Sequence, residues 1–388
     1  MSGALEGVLV ADFSRVLAGP YATMLLADLG ADVVKVERPG TGDDTREWGP
    51  PYAADGQATY YLSVNRNKRS VVLDLATDEG RELALELARR ADVVIENFSP
   101  GVMDRLGLGW DVVHAENPRA VYASITGFGR HAGRLPGYDL LVQAVGGLMS
   151  VTGTAPEDGS DGEPTKVGVA LVDVITGLHA AVGVLAALAH RDRTGEGQHV
   201  EVELMTSMLA ALVNQSSAFV SAGVVPTKEG NRHPSIAPYE TFPTADRQIA
   251  LACGNEKQFR ALCLAMDLPD LVDDPRFATN PQRVVHAEEL RASLSAAFAL
   301  HGADHWHSVL TAVGVPCGPI NDIAAAFAFA QSLGLEPIVE VPAADGSTLA
   351  QVADPVTLSA TPVRYRNAPP TLGQDTDDVI AWLREQRY

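Results

Sequence analysis

Cysteine is scarce in this chain: Cys253, Cys263 and Cys317 are the three among 388 residues. They are too few and too scattered for a zinc cluster or a disulfide framework, so the expectation is free thiols in a reducing compartment. Basic residues are also few. Lys and Arg number 29 against 49 Asp and Glu, for a net charge of −20. That balance argues against nucleic-acid binding, which needs clustered cations, and requires any anion site to be built locally. Long apolar runs are missing as well. The longest stretch, Leu178 to Ala189, contains His179 and Gly183 and is shorter than the ~20 residues of a bilayer span. The opening MSGALEGVLVADFSR has no basic region followed by an apolar run. A cytoplasmic protein with no membrane partner is therefore expected.

What is present is a hydrophobic content of 46% in a chain long enough for two or three domains. The first 130 residues alternate strand and helix. Short apolar runs at Val8–Asp12, Val33–Glu37, Ser70–Leu75, Asp92–Glu96 and Ala120–Thr126 are separated by helical patterns at Gly19–Leu29, Thr77–Arg90 and Trp110–Glu116. Strands spaced by helical crossovers predict a parallel sheet with helices on its faces. An apolar helix is expected from Asp173 to about His190, closed by Thr194-Gly195-Glu196-Gly197. A strand at Gln198–Glu203 and a helix at Thr206–Ala222 follow. Composition shifts near Gly223. Two strands, Tyr239–Phe242 and Ile249–Cys253, precede helices at Lys257–Met266, Gln282–Leu300 and His305–Val313, which predicts a smaller α+β domain over about 223–318. The tail has a strand pair around Asp345-Gly346 and a last helix, Asp375–Arg384.

The first βα turn reads Arg15-Val16-Leu17-Ala18-Gly19-Pro20, not G-x-G-x-x-G, and Gly127-x-Gly129 lacks a third glycine. NAD and flavin are therefore not expected. There is no serine nucleophile elbow. His301 and His305 have helical metal spacing, but Gly302 and Asp304 between them read as a helix start, and no metal is expected. Ligands in open α/β sheets bind at the carboxyl ends of the strands. Arg15, Arg38, Asn97 and Arg105 lie at or near such ends, with Lys68-Arg69 adding positive charge. Together they suggest a local basic rim for an anionic, aromatic-bearing ligand. Two carboxylates precede apolar helices: Asp173 in VALVDVITG and Asp139 in GYDLL. Each suits a helix N-cap, and each equally suits a functional carboxylate held ionised by the positive end of a helix.

These blocks, in order, resemble the class III CoA-transferase family, whose members include formyl-CoA and carnitine CoA-transferases, with α-methylacyl-CoA racemase as a relative. The resemblance runs through DFSRVLAGPYATMLLADLGADVVKVERPGTGD, NRNKRSVVLDL, ADVVIENFSPGVMDRLGLG, SITGFG, GYDLLVQAVGGLMSVTG, VGVALVDVITGLHAAVGVLAAL, GNRHPSIAPYETF and LGQDTDDVI. It implies a Rossmann-like large domain over residues 1–222, a small α+β domain over 223–318, and a segment over 319–388 that returns to the large domain. It also implies an interlocked homodimer. Coenzyme A is implied as substrate and product, with contacts at Val16, Ala18, Arg38, Leu73, Asn97, Phe98 and Arg105. The implied nucleophile is Asp173, acylated by an acyl-CoA and then converted to an enzyme–CoA thioester that passes CoA to a carboxylic acid. Asp139 is the implied companion carboxylate. Where formyl-CoA transferase has a glutamine and a glutamate, this chain has Leu17 and Asp139. The loop over 231–238 lacks that enzyme's glycine run. Leu17 suggests a less polar acyl group.

The alternative is an α-methylacyl-CoA racemase, which needs acid/base groups on both faces of the α-carbon. Where the related racemases use histidine this chain has Tyr138, a poor base at neutral pH with an ordinary pKa of about 10. Asp173 and Glu256 match their acidic residues. A non-catalytic acyl-CoA binder would need no nucleophile, which the retained Asp173 motif argues against.

Overall fold

The computed structural model describes residues 3–132, 135–154 and 162–385. The chain divides into two compact units. One comprises Met1–Leu148, Val167–Val225 and Glu336–Tyr388, and the other Met149–Lys166 and Pro226–Leu335. The second unit thus runs past residue 318 to Leu335.

The first unit is built on six parallel strands: β1 (Leu9–Asp12), β2 (Asp32–Glu37), β3 (Lys68–Val72), β4 (Val93–Glu96), β5 (Val121–Thr126) and β6 (His199–Glu203), in the order β3-β2-β1-β4-β5-β6. Helix α1 (Ala18–Asp28) joins β1 to β2. Helix α2 (Asp78–Arg90) leads from β3 to β4, and α3 (Trp110–Glu116) from β4 to β5. This is the doubly wound order, which reverses between β1 and β4.

The apolar runs are nearly continuous because both faces are covered. Val10, Val33, Val93 and Ile95 pack on one side with Ala22 and Leu26 of α1. Their alternates Ala11, Val34 and Val94 pack on the other with Ala84 and Leu87 of α2 and with Val379 and Leu383 of the C-terminal helix Thr376–Arg384. Successive strand side chains point to opposite faces. Leu26, Val33 and Ile95 are fully buried, each contributing about 1.5–3 kcal/mol. Thr77 caps α2 by accepting from Gly80 N–H, with Asp78 and Glu79 in its first turn and Arg89 and Arg90 in its last, matching the helix dipole at both ends.

Helix α4 (Asp139–Val145) precedes the long helix α5 (Leu171–Thr194). Gly195 ends α5 at φ 83°, the left-handed cap that glycine tolerates best. At 24 residues, α5 is long and apolar enough to cross a membrane by length and composition, contrary to the shorter run read from the sequence. Val172, Thr176, Ala180, Val184 and Ala187 are nevertheless buried, at the spacing of one helix face, while Leu178 and Val182 are exposed. The helix expected at Thr206–Ala222 is two, α6 (Leu204–Ala211) and α7 (Asn214–Ala222), broken where Val213 takes φ 42°.

The second unit has an antiparallel sheet of β7 (Tyr239–Pro243), β8 (Gln248–Ala252) and β9 (Cys317–Pro319). Helices α8 (Glu256–Ala265), α9 (Ala287–Phe298) and α10 (Ala303–Ala312) close a core of Phe242, Leu251, Phe259, Leu294, Phe298 and Trp306. The expected helix Gln282–Leu300 is interrupted at His286.

Candidate active site

The strand order reverses between β1 and β4, so their carboxyl ends open a crevice. Two side chains shape the loop leaving β1. Asn97, just past β4, accepts from Arg15 N–H at 2.9 Å and donates to the Arg15 carbonyl at 2.7 Å. Asp43 accepts from Val16 N–H at 3.3 Å. Val16 has φ 71°, a left-handed conformation that a β-branched residue adopts only when its surroundings impose it. Asp43 is itself fixed by Lys35 at 2.8 Å, a fully buried ion pair. Burial alone would raise the Asp43 carboxyl, but the Lys35 ammonium and the Thr45 donors hold it down at about 2.

Lys68 does not belong to a basic rim. It is buried, bonded to Asp12 at 3.2 Å, Asn65 at 2.9 Å and the Pro20 carbonyl at 2.9 Å. Burial pushes its ammonium down to about 8 against the pull of Asp12. Arg69 pairs with Asp32. A strand-end lysine reads as solvent-facing in sequence, and its partner lies 56 residues away.

The loop feeds α1, whose N-cap, Leu17, has no side-chain bond to the helix. The Ala18 and Gly19 N–H groups have no acceptor among the described residues. Gly177 of α5 packs against this end. A Cβ there would lie 2.6 Å from the Ala18 carbonyl oxygen, so only glycine allows the approach. One turn earlier on α5 stands Asp173, the third helical residue and half-buried.

Neither carboxylate caps its own helix. Asp139, at the start of α4, reaches across to α5, accepting from Val172 N–H at 2.8 Å and Asp173 N–H at 3.4 Å. Gln143, one turn on, donates to Asp139 at 2.7 Å and accepts from Val167 N–H at 2.9 Å. The Asp173 carboxylate accepts no hydrogen bond among the described residues. Burial, then repulsion from Asp139, push its carboxyl up to about 7. The helix end therefore does not keep it in the ordinary carboxylate range, as the sequence suggested. Its free N–H groups are spent on Asp139.

Two cavities follow the crevice. One of about 320 Å³ is lined by Arg38, Leu73, Phe98 and Leu106, among others. One of about 480 Å³ is lined by Val16, Leu17, Ala18, Asn97, Phe98, Tyr138 and Asp173. Arg15 and Phe98 line both. Arg105 ends the short helix Val102–Arg105, exposed, and lines neither. Glu256, in the second unit, is tied to Arg283 and to Asn280 N–H at 3.1 Å. His301 and His305 have rings 4.1 Å apart, and the described residues hold no group of three metal-ligating side chains. Sequence reasoning missed Gln143, whose i, i+4 spacing from Asp139 was the available signal. It also missed Asp43, Asp44 and Tyr60. Tyr60 packs beside Leu17 and Val174, its phenol pushed up to about 12 by burial and by Asp173 and Asp139.

Comparison with known proteins bears on the chain as a whole. The chain is 43% identical over 386 residues to a succinate–glutarate CoA-transferase of Agrobacterium fabrum, covering 98% of this chain and 95% of that protein. It is 39% identical to a human succinyl-CoA:glutarate CoA-transferase, covering 97% and 85%. The crystal structure of a CAIB/BAIF family protein from Brucella suis superposes with a TM-score of 0.86 at 39% identity, covering 99% of this chain and all of that one. Residues 5–376 match the family described as CoA-transferase family III, and this chain belongs to that family.

Proposed function

We propose that the protein moves coenzyme A from an acyl-CoA to a carboxylic acid through covalent intermediates on Asp173. The observation that carries this reading is a carboxylate on the wall of a large cavity, left without a hydrogen-bond donor and poorly solvated, which makes it reactive once ionised. Asp173 attacks the thioester carbonyl. The C–S bond breaks, an aspartyl acyl anhydride forms and CoA leaves as thiolate. The Ala18 N–H, free of an acceptor among the described residues and on the wall of the same cavity as Asp173, stabilises the oxyanion. The thiolate then attacks the aspartyl carbonyl, giving an enzyme–CoA thioester and free acid. The acceptor carboxylate attacks that thioester to give a second anhydride, from which the thiolate takes the new acyl group and restores Asp173. Asp139 and Gln143 hold the start of α5 in place.

The relatives are named for succinate and glutarate, so these short dicarboxylic acids are the first pairs to try. Leu17 supplies an apolar cavity wall beside them. The exposed apolar residues Leu178, Val182, Phe219 and Val220 on α5 and α7 support a homodimer, interlocked as the family resemblance implies. A monomer at micromolar concentration in sedimentation would remove that part.

The test of mechanism is trapping. Incubation with succinyl-CoA and then hydroxylamine should mark the peptide carrying Asp173, and Asp173→Asn should abolish both label and transfer while still binding CoA. A label elsewhere, or near-normal transfer by Asp173→Asn, defeats the proposal. Exchange of an α-hydrogen with D₂O without transfer would favour racemisation.

A further inference from the structure

The two cavities meet at a neck that holds an unusual trio. Asp44 sits between two guanidiniums, its Oδ2 3.1 Å from Arg15 Nη1 and its Oδ1 2.5 Å from Arg38 Nη2. Arg38 is further steered by Thr41 Oγ1 at 2.7 Å, and Arg15 lies over the Phe98 ring. Arg38 lines the smaller cavity, Asp44 the larger, and Arg15 both. Among the lining residues of the two cavities the cations are Arg15, Lys35 and Arg38, and Lys35 is committed to Asp43 in the buried pair. The two arginines are therefore the cations open to a ligand, and both are bound by one carboxylate. All three side chains reach solvent, Asp44 at 28% exposure and the arginines at 44% and 50%, so the contact can open without unpacking a core.

A coenzyme A molecule has an apolar-edged nucleoside at one end, a thioester at the other and a diphosphate between. With the thioester at Asp173 and the nucleoside in the smaller, apolar cavity, the diphosphate crosses this neck. This placement rests on the CoA-transferase reading above. A carboxylate bridging two guanidiniums occupies the kind of site that a phosphate oxygen pair prefers.

We propose that Asp44 holds the place of the ligand's phosphate in the free enzyme and competes with it for Arg15 and Arg38. It then limits affinity for phosphate-bearing ligands and hastens their release. The carboxylate keeps the two arginines in position when the site is empty, and a diphosphate, with more charge and more acceptor oxygens, displaces it. A free carboxylic acid lacks that advantage, so the neck also rejects the acceptor acid and leaves it to reach Asp173. Asp44 is placed to swing aside. Its backbone is anchored by Asp43, which caps the 3₁₀ turn Asp44–Glu47 through Thr45, so losing the arginines does not free the loop.

Asp44→Asn and Asp44→Ser remove the competing charge at an exposed position and should fold normally. Calorimetry with CoA, and with an S-acyl pantetheine lacking phosphate, separates the terms. Both variants should bind CoA about three- to tenfold more tightly than wild type, the scale of two exposed ion pairs, with slower dissociation. Pantetheine affinity should be unchanged. Asp378→Asn, at an exposed acid of the C-terminal helix that lines neither cavity, controls for the change in net charge and should alter neither. Unchanged or weaker CoA binding by both Asp44 variants overturns the proposal, as does equal tightening by the control or by the pantetheine ester. A wild-type protein that binds no CoA overturns the underlying CoA reading instead.

Discussion

Replacing Asp173 by Asn should stabilise the protein at alkaline pH while destroying its activity. Burial and the nearby Asp139 carboxylate push the Asp173 carboxyl up from 3.8 to about 7. Between those values the folded protein keeps a proton that the unfolded chain has lost. Stability from this group is complete below the unfolded value, falls as pH rises toward 7 and stays low above it. The full free energy of that displacement is on the order of 4 kcal/mol. Solvent reaching the carboxylate through the cavity reduces it to about 1–2 kcal/mol. Asn carries no charge at any pH, so the variant escapes the decline. Thermal unfolding of both proteins at about pH 5 and about pH 8.5 should show the variant gaining roughly 1–2 °C in Tm, relative to wild type, between the two conditions. A difference that does not change with pH, or one of opposite sign, would refute the claim that Asp173 is ionised against the preference of the fold.

The same titration should appear in catalysis: kcat/KM for acyl-CoA should rise with pH with a midpoint near 7, and Asp139→Asn should move that limb to lower pH by less than about one unit as the repulsion is removed. A limb that Asp139→Asn leaves in place would remove Asp139 from the electrostatics of the site. Arg38→Ala should weaken CoA binding by calorimetry by about tenfold, the scale of a charge-assisted contact, with kcat at saturation nearly unchanged. Lys35→Met leaves Asp43 buried and unpaired, so it should cost about 3–5 kcal/mol in denaturant unfolding. Gly177→Ala must displace the start of α1, and should lower kcat more than it raises KM.

The sheet was legible because strands covered on both faces show nearly continuous apolar runs, as in Val93-Val94-Ile95, or in Val33-Val34 and Val36 around Lys35. The end of α5 was legible because Gly195 is the residue a left-handed cap favours. Strand β9 was not, since three residues containing Gly318 and Pro319 carry no period. Lys68 was misread as a surface cation because a buried lysine differs from an exposed one only in its neighbours, and Asp12 and Asn65 become neighbours only through the sheet. Asp139 and Asp173 were recognised as paired with helix starts, but sequence spacing cannot reveal that one carboxylate caps the other's helix. Burial first, and then the Asp139 carboxylate at the same helix start, push the Asp173 carboxyl up, opposite to what a helix N-terminus alone implies. Val16 likewise has no sequence signature for its left-handed backbone, which Asp43 imposes from 27 residues away.

Asp139 and Gln143 have one more consequence, for how this architecture tolerates change. The chain leaves the first unit after Leu148 and re-enters it at Val167. Gln143 bonds the re-entry point at Val167 N–H, and Asp139 bonds Val172 N–H just beyond it. Exit and return are thus held together within the first unit, a few residues from Asp173, and the residues between them belong to the second unit. The register of α5 is therefore set inside the first unit, and variation in chain length among relatives is expected to stop at Val167.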